Sequence, residues 1–223
     1  MGSRRSGDRV PSASLHETAR SSCFPLTAGV RVFIPPCIPT EKTEPPTGPN
    51  WIHEVKFDGW RVQIHSRPKL RIFSRNGKDF SKRFPLSVEL PPCIIDAEVV
   101  ADTGSGGGRA FYELLRKNPR VSFWCFDLLS LDGKDWRPLP LSERRARLEK
   151  LLVGTSLMFS EAFDDPLMLL ERAEQFRLEG VVSKRVDLPY CSGRRPEWVK
   201  VKASWWREKN HARYEKMRGR TKQ

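Results

Sequence analysis

Three short stretches of this chain alternate charged and apolar residues with a period of two. Glu54, Lys56 and Asp58 alternate with Val55 and Phe57, Asp96 and Glu98 with Ile95, Ala97 and Val99, and Lys200 and Lys202 with Val199 and Val201. Alternate residues of an extended strand face the same side. Each stretch therefore offers a charged face backed by an apolar one, and the apolar faces need a shared core. One such strand alone carries no functional meaning, because half-buried strands are ordinarily polar on their wet side. The recurrence of lysines as Lys-x-Lys and of lone glutamates in hydrophobic strands goes beyond that ordinary pattern.

The rest of the chain supports an α+β domain of antiparallel sheets flanked by helices. Strand-like runs cover 52–58, 60–66, 69–74, 93–101 and 121–129, with "VVSKR" and "EWVKVKA" closing the series. "SRNGKD" supplies an Asn-Gly turn. Helical patterns occupy "FYELLRK", 141–152 with Ser142 at the N-cap, and 165–180 with Asp165 capping, Pro166 in the first turn and Gly180 at the stop. The glycine-rich "DTGSGGG" lacks the spacing of a phosphate-binding loop and reads as a connector. Residues 1–32 read as a disordered basic leader, 33–205 as the globular domain and 206–223 as a basic tail. "FIPPCIPTEKTEPPTGPN" reads as an extended, proline-punctuated approach over the surface.

Lys and Arg outnumber Asp and Glu by 40 to 27, a net charge of +13. That excess favours a polyanionic partner, nucleic acid ahead of a membrane, since no amphipathic or membrane-spanning stretch accompanies it. The alternative is a merely soluble basic surface. Five scattered cysteines without a Cys-x-x-Cys pair predict neither a zinc site nor a disulfide framework, hence a reducing compartment. "MGSRRS" formally fits a myristoylation pattern, but no signal-peptide core follows it. His53 falls on the core side of its strand and reads as packed, and Trp205 and Trp206 read as packing anchors.

"EVKFDGWR" resembles the first motif of the covalent nucleotidyltransferases: ATP-dependent DNA ligases, RNA ligases and mRNA-capping enzymes. Lys56 stands at the AMP-accepting position. "SRNG" with Arg75, "DAEVV" with Glu98, "FDLL" with Phe126, "EGVVSKR" with Glu179, and "WVKVK" with Lys200 and Lys202 are similar to the later motifs, in order. The flanks, "FIPP" and "YCSGRRPEWVKVK", resemble the ligase module of bacterial ligase D enzymes of non-homologous end joining. The likeness covers roughly 33–205.

The resemblance implies a nucleotidyltransferase (ATP-grasp-like) fold and adenylyl transfer through a lysyl-AMP. It implies ATP and Mg²⁺ or Mn²⁺ as cofactors and nicked or broken double-stranded DNA as the substrate. Glu54, Arg61, Arg75, Glu98, Phe126, Lys200 and Lys202 become nucleotide-binding candidates, Phe126 as the stack for adenine or as a plain core aromatic. Glu179 and Glu98 become metal ligands. A lysine nucleophile must be neutral to attack, and its free pKa is about 10.4. Lys200, Lys202 and partial burial are expected to lower it, while Glu54 and Asp58 act in the opposite sense.

Relatives of this type continue into an OB-fold domain. Here 21 residues follow Lys202, so nick sealing is expected to need an OB-fold-bearing or end-joining partner. The basic tail lies on phosphate backbone or forms a solvated helix. The implied setting is a bacterial cytoplasm, at the nucleoid. The competing readings are a DNA-binding accessory protein without catalysis, and an RNA ligase or capping-type enzyme.

Overall fold

A computed structural model describes residues 33–103 and 110–210. The expected leader, most of the glycine-rich connector and the tail from 211 onward lie outside the described residues. In chain order the elements are β1 (Cys37–Glu41), β2 (Trp51–Lys56), β3 (Trp60–His65), β4 (Arg71–Ser74), β5 (Cys93–Ala101) and α1 (Ala110–Glu113). There follow β6 (Val121–Leu131), β7 (Lys134–Asp135), α2 (Leu141–Leu152), β8 (Met158–Phe159) and α3 (Pro166–Gln175). The last are β9 (Gly180–Arg185), β10 (Gly193–Lys202) and α4 (Ser204–Lys209).

Two sheets result. One runs β1-β10-β9-β2 and the other β4-β3-β5-β6-β7, with β8 added beside β6. The α+β class is as expected, but the sheets are mixed: β1 pairs with β10, and β8 with β6, in parallel. Both exceptions join segments distant in sequence, a pairing that alternation alone does not reveal.

The larger core lies on the six-stranded sheet. Val62, Ile64, Ile95, Ala97, Val99 and Leu128 are almost wholly buried there, and Leu148 and Leu152 of α2 pack against them. Burying one such aliphatic side chain contributes roughly 1.5–3 kcal/mol, so this layer fixes the sheet that carries Glu98. A second cluster, including Cys37, Phe126, Leu129, Tyr190 and Trp198, draws residues from both sheets. Between the sheets a buried node joins them. Asp96 accepts from Arg61 Nε at 3.0 Å and from the Tyr190 hydroxyl at 2.8 Å. That hydroxyl in turn accepts from the Cys37 amide at 2.9 Å.

Three helix expectations need correction. Pro140, without a side-chain cap bond, occupies the N-cap of α2, and Ser142 lies inside the helix. The first helix stops at Glu113. Asp165 does cap α3, accepting from the amides of Leu167 and Met168, but this helix ends at Gln175 rather than at Gly180. Leu178 N–H bonds Ala173 O at 2.8 Å and Arg177 N–H bonds Glu174 O at 3.2 Å. With Arg177 at φ 53°, this is a Schellman ending, which frees Gly180 to enter the sheet with Glu179 just before it.

Cys37, Cys93 and Cys125 are free and buried. Cys191 is disulfide-bonded, a bridge that the scattered spacing of the cysteines does not reveal. Among the described residues no helix is long and apolar enough to cross a membrane, which says nothing of strands.

Candidate active site

The cross-strand register assembles the site. Lys56 pairs with Gly180, and Gly180 with Lys202. One row up, Glu54 pairs with Val182, Val182 with Lys200, and Lys200 with Glu41. Directly opposed residues share a face, so Lys56 and Lys202 flank a position with no side chain. Gly180 sits at φ +148°, and a Cβ there would lie 2.1 Å from Val201 O. The glycine is obligatory.

This face forms one wall of a cavity of about 780 Å³ lined also by Glu98, Phe126 and Arg75. Gly59 brings the other wall close. A Cβ on it would stand 2.4 Å from Val99 O and 2.8 Å from Glu98 Cγ. Its φ is not left-handed, so the close approach of β5 is what requires glycine.

Lys56 Nζ donates to Glu179 Oε2 at 2.9 Å. Burial pulls the Lys56 ammonium down, but the carboxylates of Glu179, Glu98 and Asp58 outweigh it, and the net shift is upward. The expectation that Lys200 and Lys202 lower it fails, because the three carboxylates dominate. Those two lysines turn to Glu41 instead, at 3.3 Å and 3.6 Å. Burial lowers Lys202, with Glu41 opposing. Glu98 is pushed up to about 7 by burial, against the pull of Lys56 and Arg61.

Glu54 lies on the Lys56 face as expected, but it does not touch the amine. Its carboxylate accepts from Arg145, Lys184 and Ser160, each at 2.8 Å, and is nearly inaccessible at 2%. Arg61 is drawn into the Asp96 node and also donates to Cys37 O. Burial opposes its charge, yet Asp96 raises it further. Arg75 lines the cavity at the turn after β4. Phe126 is 8% exposed, meets Trp198 edge-on and has Lys184 Nζ 4.3 Å from its ring centroid. It is thus both a cavity wall and part of the second core. His53 is packed, with Nδ1 2.8 Å from Ser183 Oγ. Trp206 is buried, and Trp205 Nε1 donates to Leu178 O.

Sequence reasoning missed Glu41 and Lys184, which line the cavity, and Arg145 and Tyr190, which hold Glu54 and Asp96. Lys184 was within reach: period two along β9 puts it on the face of Val182 and Gly180. Glu41 was not, since only the parallel pairing with β10 brings it in.

Glu98 and Glu179, the two carboxylates expected to ligate a metal, both line the cavity, and among the described residues no group of three His, Cys, Asp or Glu forms a metal cage. Two carboxylates beside a roomy cavity fit Mg²⁺, which keeps waters and takes further oxygens from a phosphate substrate.

The chain is similar to proteins already known. Residues 39–202 match the family model described as the ATP dependent DNA ligase domain. The multifunctional non-homologous end joining protein LigD of Pseudomonas aeruginosa is 33% identical over 187 residues, covering 76% of this chain and 22% of that protein. A DNA ligase of Natronomonas pharaonis is 36% identical over 171 residues, 67% of this chain and 31% of its own length. The ligase domain from M. tuberculosis LigD superposes with a TM-score of 0.66 at 30% identity, over 75% of this chain and 58% of that one. A mycobacterial DNA ligase D complexed with ATP and MES gives 0.65 at 29% identity, over 75% and 59%. The chain therefore spans only 22% and 31% of the two curated relatives. Within that span the matched segment runs from β1 to the end of β10 and holds every strand of the cavity wall, and by it the chain belongs to the ATP-dependent DNA ligase domain family.

Proposed function

We propose that this chain is an adenylyl-transferring DNA ligase module with Lys56 as its nucleophile. The neutral Nζ attacks the α-phosphorus of ATP, a P–N bond forms, and the bond to the β-phosphate oxygen breaks to release pyrophosphate. The AMP then passes to a 5′-phosphate at a DNA nick, regenerating the lysine. The adjacent 3′-hydroxyl attacks that phosphate, closes the strand and expels AMP.

The observation that carries this reading is Lys56 held at 2.9 Å by Glu179 in a cavity that also receives Lys200, Lys202 and Glu98. Glu179 Oε2 is the acceptor next to the ammonium, so it is our candidate to take the proton. Lys200 and Lys202 are fixed cations suited to charge developing on the phosphates. A divalent ion, Mg²⁺ or Mn²⁺, held by Glu179 and Glu98 would neutralise the carboxylates and the phosphate oxygens when bound. Phe126 offers its ring to adenine. Arg75 serves the phosphates, and Glu54 and Arg61 hold the walls in register as well as bordering the nucleotide.

The substrate in this reading is nicked or broken duplex DNA, in repair or recombination by end joining, inside a bacterial cytoplasm at the nucleoid. Sealing would draw on an OB-fold-bearing or end-joining partner to clamp the duplex. The test is incubation with α-labelled ATP and Mg²⁺ or Mn²⁺, followed by a chase with nicked duplex. Label on the protein that moves to the DNA supports the proposal. A protein that binds DNA but never takes label would be an accessory DNA-binding protein, and label taken from GTP or passed only to RNA would make it a capping or RNA-joining enzyme.

A further inference from the structure

Lys200 and Lys202, the two cations assigned above to the phosphates, share one carboxylate oxygen, Glu41 Oε2, at 3.3 Å and 3.6 Å. The contact is built into the backbone. Glu41 stands opposite Lys200 in the parallel β1–β10 pair, and the Lys42 amide donates to Lys200 O at 3.0 Å. The register slips between Pro39 and Thr40, where the partner jumps from Arg195 to Val199. That slip carries Glu41 level with the lysines. Its side chain is 33% exposed, lines the cavity and is not part of the core.

A carboxylate between two lysines has the negative charge, the acceptor oxygens and the approximate reach of a phosphate group. Resting on the ligase reading above, we infer that Glu41 is an internal anion holding the place of the nucleotide's phosphates between Lys200 and Lys202, and that it sets the affinity of the site for polyphosphate. It keeps the two ammonium groups together on the cavity face against their mutual repulsion. When a triphosphate enters, the lysines exchange one anion for another, and Glu41 swings toward solvent. Binding of ATP therefore has to displace an ion pair that binding of the bare nucleoside leaves intact.

The test compares wild type with Glu41→Gln and Glu41→Ala by calorimetric titration of ATP without divalent ions, so that no covalent step intervenes, and of adenosine under the same conditions. Partly exposed ion pairs of this kind are weak, so the expected gain is modest, about two- to sixfold tighter ATP binding in both variants. Adenosine binding should not change. A structural role for Glu41 would move both ligands together. Unchanged or weaker ATP binding in the variants, with the fold intact by thermal melting, overturns the inference while leaving the ligase reading standing. A wild-type protein that binds adenosine and ATP equally well, or neither, overturns the ligase reading and this inference with it.

Discussion

At the scale of single residues, two buried positions have measurable consequences. His65 is 6% exposed and packs edge-on against Phe73, and burial lowers its pKa to about 4. Between pH 4 and its ordinary value near 6.5 the unfolded chain takes up a proton at this position and the folded chain does not. Stability therefore falls as pH drops through that window, by as much as about 3 kcal/mol from this group. His65→Phe keeps the ring and removes the titration. Denaturant unfolding at pH 6.5 and 4.5 should show a smaller acid loss in the variant. Gly59 is the second position. Gly59→Ala sets a methyl against Val99 O and Glu98 Cγ. It should cost about 1–3 kcal/mol and slow adenylation, because Glu98 cannot keep its place.

At the scale of elements, two helices show what was legible in the sequence and what was not. The start of α3 was readable because Asp165 followed by Pro166 is a local signal. Its end was not. Gly180 looked like the stop, but the chain turns at Arg177, a residue with no reason of its own to adopt φ 53°. The turn is imposed by tertiary structure, since Gly180 is needed in β9 and Glu179 beside Lys56. Arg177→Gly should relieve that strain and raise stability by about 1 kcal/mol, seen as an upward shift in Tm. For α2 the amphipathic pattern gave the boundaries, but two of its arginines are buried. Arg144 forms a two-point pair with Asp127, at 2.7 Å and 2.9 Å, and both side chains are wholly inaccessible. Arg144→Met leaves the Asp127 charge buried without its partner and should cost about 3–5 kcal/mol, measured by chemical unfolding. Such charges look like surface residues in a sequence because burial is decided by the partner strand.

At the scale of the whole molecule, the site exists only where two sheets meet. Period two placed Lys56, Glu98, Lys200 and Lys202 on strand faces correctly, since alternation is local. Which faces converge depends on pairings across more than a hundred residues, such as Lys56 with Gly180, and no local pattern encodes those. The same limit explains the mistaken charge balance around Lys56. The lysines expected to depress its pKa pair with Glu41, and Glu179 and Glu98 act in their stead. Tyr190 ties the two halves through the Cys37 amide, Arg61 and Asp96. Tyr190→Phe keeps the ring, leaves those groups short of a partner and should destabilise the fold by about 1–3 kcal/mol.

The central claim is that Lys56 is the nucleophile, and intact-mass analysis with peptide mapping tests it most directly. After incubation with ATP and a divalent ion, wild type should gain the mass of one adenylyl group, carried by the peptide containing Lys56. Lys56→Ala should gain none while remaining folded. An adduct on another lysine, or an equal adduct on the Lys56→Ala protein, would contradict the account.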